Sequence, residues 1–200
     1  MPAFSDAFGN IKAELSKKLN NTLRSLASSY IKEGHSPKGE IWVKEYQNGE
    51  LVSDKCLKEN IIVDGAGVLL ARLLKNNTEP VNGIYCLAVG TGDNLWNPMN
   101  PPAPVGTETT LFAELARVAI QSSRFITPIL GTVSPTPTNI IDLDFEFPEG
   151  VATGPLVELG LFGGDATLAV NSGTQVTYKT YAVINKPASS SFVFTYRLTL

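Results

Sequence analysis

The segment "SFVFTYRLTL", residues 191–200, constrains the fold more than any other. Phe192, Phe194, Tyr196, Leu198 and Leu200 fall at every second position. A period of two suits a strand with one buried face, and a helix would scatter the same set around its circumference. Residues 118–126, 139–147, 156–162 and 174–184 have the same strand-like texture, and "NGIYCLAV" reads as a buried strand. In "GEIWVKEYQNGELVSDKCLKENIIV" two alternating runs flank Asn48-Gly49, the pair that best suits a two-residue hairpin turn. With 17 glycines and 13 prolines to punctuate these runs, the expectation is a mainly β protein, a β-sandwich over residues 40–200. Two short helices are predicted within it. One is "DGAGVLLARLLKNN", with Asp64 as N-cap and Val68, Leu69, Leu70, Leu73 and Leu74 as its apolar face; the other is a turn or two in "TLFAELAR".

The first thirty-four residues have a different texture. Phe4, Phe8, Ile11, Leu15, Leu19, Leu23 and Leu26 recur at steps of three and four, with Lys, Asn and Ser between them. That spacing predicts an amphipathic helix with a narrow apolar stripe. A stripe so narrow on a polar-backed helix suits an assembly seam with copies of itself or a neighbouring protein; docking on its own domain is the alternative. Residues 35–39 then read as a linker. The seam predicts a homo-oligomer, a trimer or higher.

Charge and composition exclude several functions. The formal charge of −3 divides unevenly: five basic residues against three acidic ones give +2 over residues 1–34, leaving −5 elsewhere. There is no dense Lys/Arg stripe of the kind that grips nucleic acid, and no apolar run long enough for a membrane helix. Cys56, Cys86 and the single His35 make no zinc-ligand spacing and read as two buried or half-buried thiols and an exposed linker histidine.

"LAVGTGDN" resembles the start of a dinucleotide loop, but three residues after Gly92 stands Leu95, and a proline-rich loop follows where a helix would have to begin. Gly90 and Gly92 therefore read as turn residues closing a buried strand. Asp142, Asp144 and Glu146 share one face of a strand; that face is expected to be solvated, with a bound cation such as calcium as the alternative. Glu114, Arg117 and Glu158 sit among apolar neighbours, which predicts a structural ion pair, Arg117 with Glu158. No catalytic residue, cofactor site or metal site is expected. In the loop after Gly92, Leu95, Trp96 and Met99 are the candidate contact residues. Trp42, Tyr46, Tyr85 and Trp96 are the aromatics that a glycan-binding module would use.

Four stretches, "KENIIVDGAGVLLARLL", "YCLAVGTGDN", "TLFAELAR" and "VELGLFGG", followed by "YAVINKPASSSFVFTYRLTL", carry a family look over about residues 58–200. The order resembles bacteriophage virion proteins of the tail-fibre, tail-collar and baseplate-attached type. The resemblance implies a non-enzymatic building block of a virion, part of the tail, neck or baseplate, made in the host cytoplasm and partnered by copies of itself and other virion proteins. A capsid decoration protein and a module for host glycan are the alternatives. It further implies that Gly90, Gly92, Glu114, Arg117 and Glu158 define the fold.

Overall fold

The computed structural model describes residues 37–75 and 82–200. The N-terminal stripe, Phe4 to Leu26, and His35 lie outside them. The described residues are mainly β, with a single helix. In chain order they form β1 (Lys38–Gln47), β2 (Glu50–Ile62), α1 (Asp64–Lys75), β3 (Asn82–Gly90), β4 (Glu114–Ala119), β5 (Ser122–Ile126) and β6 (Val133–Ser134). Then come β7 (Ile140–Phe147), β8 (Gly154–Gly164), β9 (Thr174–Gln175), β10 (Thr177–Lys186) and β11 (Ser190–Thr199). They make one antiparallel sheet in the order β4-β3-β8-β10-β2-β1-β11-β7-β5-β6, with β9 added to β8.

The alternation read from sequence sets the register of β11. Ser190, Phe192, Phe194, Tyr196 and Leu198 are buried and the residues between them half-buried, while Leu200 lies past the strand and is exposed. On its flanks β11 pairs continuously with β1 and β7. Asn48 and Gly49 close the β1–β2 hairpin with φ of 52° and 81°, the two positive values that a turn matched to strand twist requires. The β2–β10 junction is brief, Ile62 with Thr177 and Ile61 with Tyr178.

One core draws on both halves of this order. Ile41, Val43, Phe145, Phe147, Phe192 and Phe194 pack in the same cluster as Leu87, Val89, Leu159 and Leu161. The ends of the order are also joined covalently, because β4 runs into β5 through Ile120 and Gln121. There the Ile120 amide donates to the Tyr85 carbonyl of β3 and the Gln121 amide to the Asp144 carbonyl of β7. Strand β8 is buried on both faces from Leu156 to Gly164. Leu159 and Leu161 enter the main core, and Phe162 joins Cys86, Ala88, Leu111 and Tyr178 in a second cluster on the other face.

Three local expectations are corrected. "TLFAELAR" is not helical; its second half is β4, whose pairing with β3 outweighs the helix preference of Ala, Leu and Glu. Residues 118–126 are not one strand but the end of β4, a corner, and β5. In α1 the apolar face is narrower than predicted. Leu69 is buried but Val68, Leu70 and Leu73 are exposed, because the helix packs mainly on β9 and β3 along one side. Asp64 lies inside its first turn, with Arg72 and Lys75 in the last, charges that suit the helix dipole at both ends. Cys86 is buried, whereas Cys56 is exposed.

Candidate functional site

Of the residues singled out from sequence, Gly90, Gly92, Glu114, Arg117 and Glu158 lie on one face of β4-β3-β8-β10, where the long loop 91–113 crosses the sheet. Glu158 projects from β8 into that contact and is fully buried. Its Oε1 accepts the backbone amides of Gly92 (3.1 Å) and Ala113 (2.8 Å), and its Oε2 accepts the Phe112 amide (2.9 Å) and the Tyr178 hydroxyl (2.6 Å). Four donors converging on one carboxylate offset the cost of burying its charge. Burial and the neighbouring carboxylate together raise the Tyr178 phenol well above its ordinary pKa, so it stays a donor. A side chain at Gly90 would put its Cβ 2.4 Å from Glu158 Oε1. Gly92 has φ +64°, and a Cβ there would meet the Trp96 ring at 2.5 Å. The two glycines are a turn against a buried carboxylate, as the sequence suggests, and have no phosphate-loop geometry.

The expected pairing of Arg117 with Glu158 is corrected. Arg117 instead pairs with Glu114, Nε to Oε1 and Nη2 to Oε2 at 2.6 Å each, both side chains 1% exposed. A β-bulge explains how residues three apart meet on one strand. Ala116 lies opposite Val89 and Glu114 opposite Gly90, so Leu115 is the extra residue and Glu114 turns to the Arg117 face. From there Arg117 Nη1 donates to the Thr167 carbonyl (3.0 Å) and the Ser172 carbonyl (2.9 Å), while Glu114 Oε2 accepts the Asn171 amide (3.0 Å). The guanidinium also lies over the Phe162 ring. Burial works against its charge, and the Glu114 carboxylate outweighs that, so Arg117 holds its proton more firmly than an ordinary arginine. Beside it, burial pushes the Cys86 thiol up to about 11, a value that keeps it protonated and a poor nucleophile near neutrality. The pair fastens loop 165–173 as Glu158 fastens loop 91–113.

Loop 91–113 is ordered along its length. The Asp93 carboxylate accepts the Leu95 amide, the Asn97 side chain accepts the Met99 amide, and Glu108 accepts the amides of Val105 (2.6 Å) and Gly106 (2.8 Å). Two carbonyls bind it to β10, Pro98 accepting the Val183 amide and Pro102 the Thr180 hydroxyl. From this fixed backbone Leu95 (87% exposed), Val105 (76%) and Met99 (67%) point outward. Trp96 is half-buried and tilts against Phe112 with ring centroids 5.2 Å apart. Of the three contact residues predicted, Leu95 and Met99 face solvent and Trp96 folds onto its own loop. A cleft of about 490 Å³ lies beside it, lined by Trp96, Phe112, Tyr178, Glu108 and several threonines, with no cationic side chain.

On the face carrying Asp142, Asp144 and Glu146, Asp142 is buried and the other two are half-buried, so it is solvated only in part, and each carboxylate has a partner side chain. Arg197 grips Asp142 through two bonds of 2.7 and 2.9 Å, and Arg124 bonds Asp144, which also accepts from Ser122 and Thr195. Glu146 accepts from Gln121 at 2.9 Å. Cross-strand pairing places Arg197 of β11 and Arg124 of β5 opposite Asp142 of β7. Among the described residues no cluster of three His, Cys, Asp or Glu side chains is set to hold a metal ion. Trp42 lies against Arg197, with the guanidinium carbon 5.3 Å from its ring centre. It thus has different neighbours from Trp96.

One buried charge escaped the sequence reading. Lys186 is 1% exposed; its Nζ donates to the Pro148 carbonyl (3.0 Å) and the Ser190 carbonyl (2.5 Å) and lies over the Phe192 ring. Its place two residues after buried Ile184 in an alternating strand was the available signal. No protein-family model matches the chain, and a search of curated proteins finds no significant relative.

Proposed function

We propose that the chain is a non-enzymatic structural component of a bacteriophage particle, a fibre or fibre-attachment protein of the tail, neck or baseplate. The observation that carries this reading is the pair of clamped loops. Buried carboxylate and guanidinium groups are spent on holding backbone in place, and the ordered loop 91–113 displays Leu95, Met99 and Val105 to solvent. Rigid apolar display of this kind suits contact with a neighbouring protein, since little entropy is lost on docking. Three of the five stretches behind the virion resemblance have a fold-building part here: Gly90 and Gly92 a turn, Glu114 and Arg117 a loop fastening, Glu158 another. The shared core and the covalent join of β4 to β5 support a two-layer β-sandwich as the rigid body. In this reading the apolar stripe Phe4 to Leu26, taken from the sequence, is the seam that assembles copies or grips an adjoining virion protein.

Purified particles test this directly. The chain is expected in fixed copy number by quantitative mass spectrometry, and Leu95→Asp with Met99→Asp is expected to leave the isolated chain folded yet lower its incorporation. Particles that lack the chain altogether would contradict the reading. The cleft beside Trp96 favours one second reading, a glycan-recognition module, because an aromatic wall with hydroxyls and no cation suits a neutral sugar. Glycan-array binding lost on Trp96→Ala would favour it.

A further inference from the structure

The turn between β5 and β6 is a small rigid prong. The Thr127 amide donates to the Thr132 carbonyl (2.8 Å), the Gly131 amide donates to the Thr127 carbonyl (2.9 Å), and the Thr127 and Thr132 hydroxyls meet at 3.0 Å. Gly131 closes the turn with φ +64°, and Pro128 fixes the other side. This tightly bonded frame holds Ile129 and Leu130 outward, 95% and 75% exposed. A polar tip would satisfy the same turn; two bare aliphatic side chains on it expose apolar surface for no gain within the domain.

Close by in the chain is a slot of about 340 Å³ lined by Ile84, Ile120, Phe125, Ile141 and Leu143, together with Ser123 and Arg124. It opens where β4 turns into β5, and Ile84, Ile120 and Ile141 line it as the half-buried fringe of the main core. A cavity of about 150 Å³ accepts a benzene-sized apolar group, so this slot has room for two aliphatic side chains. The exposure of Ile129 and Leu130 shows that the prong does not fill its own slot.

We infer that Ile129 and Leu130 of one copy insert into the slot of a second copy. Five of the seven residues that line the slot are apolar, as are the two on the prong, and Phe125 of the slot is four residues from Ile129, on the same hairpin. A two-fold axis beside β5–β6 therefore lets each copy insert its prong into the other at once. Reciprocity matters for size. One prong buries only a few hundred Å², about the range of a single functional patch, whereas two prongs with their rims approach about 1,000 Å², the lower bound for a specific interface. The contact does not rest on the virion reading and is separate from loop 91–113.

The test uses the full chain with Cys56→Ser, to remove the exposed thiol. Ile129→Cys protein and Ile120→Cys protein are mixed under mild oxidation. A disulfide-linked pair is expected in the mixture and in neither protein alone. Leu130→Asp introduced with Ile129→Cys is expected to cut the yield roughly ten- to a hundredfold, with the melting temperature unchanged because the site is exposed. No cross-link in the mixture, or a yield unaffected by Leu130→Asp, overturns the inference. So does binding of the chain to neutral phosphatidylcholine vesicles that is lost on Leu130→Asp without cross-linking, which would make the prong a lipid anchor.

Discussion

Replacing Glu158 with glutamine keeps the shape of the side chain and removes half of what it does. All four of its partners are donors: Gly92 and Ala113 amides at Oε1, the Phe112 amide and Tyr178 hydroxyl at Oε2. A glutamine must face one of these pairs with an NH₂ group. The less costly orientation keeps the oxygen on Gly92 and Ala113, lets Tyr178 turn its hydroxyl to accept, and leaves the Phe112 amide without its acceptor. Hydrogen bonds to a charged group contribute roughly 1.5–3 kcal/mol each. One is lost and the rest become neutral, so Glu158→Gln should destabilise by about 3 kcal/mol. In a chain of this size that is a fall of roughly 6–12 °C in melting temperature. Glu158→Ala strands all four donors and should cost a large part of the usual margin of about 5–15 kcal/mol. Guanidinium unfolding gives the global number, and hydrogen exchange at Gly92 and Ala113 reports whether the loop opens alone. A Glu158→Gln protein within 0.5 kcal/mol of wild type, with those two amides still protected, would refute the clamp.

Other fastenings give their own tests. Arg117→Ala leaves Glu114 as an unpaired buried carboxylate, so a loss of roughly 3–5 kcal/mol and new proteolytic cleavage within loop 165–173 are expected; a stable, uncleaved variant counts against the fastening. Gly92→Ala forces a Cβ against the Trp96 ring at a positive φ, a strain of about 1–3 kcal/mol, and should shift tryptophan emission to the red. Burial alone would raise the Asp144 carboxyl, but bonds from Arg124, Ser122 and Thr195 outweigh it and hold it below the usual range. Its contribution is therefore complete above about pH 4 and is lost as the pH falls through the depressed native value. The stability gap between wild type and Asp144→Asn should shrink on acidification; a constant gap between pH 6 and pH 2 is the contrary result. If residues 1–34 are the assembly seam, their removal should lower the oligomeric mass seen by light scattering.

Much of the sheet was legible because its strands bury one face. In β11 the alternation of Phe192, Phe194 and Tyr196 carries straight into the observed register, and Asn48-Gly49 announces its hairpin. What sequence could not give was where the alternation breaks. "TLFAELAR" contains good helix formers, and only the bulge at Leu115, set by pairing with β3, brings Glu114 and Arg117 together on a strand. Arg117 and Glu158 were both recognised as buried charges needing partners. Glu158 finds backbone amides of a loop 45 to 66 residues away in sequence, and no local pattern encodes that. The acidic face of β7 misled for a related reason. Asp142 and Asp144 look solvated until Arg124 and Arg197 arrive from β5 and β11.

Electron microscopy of intact particles labelled with an antibody against residues 39–200 tests the virion reading most directly. Label on the tail, neck or baseplate is the expected result. Label spread over the head would make the chain a decoration protein instead, and particles that take no label at all would contradict a structural part in the virion.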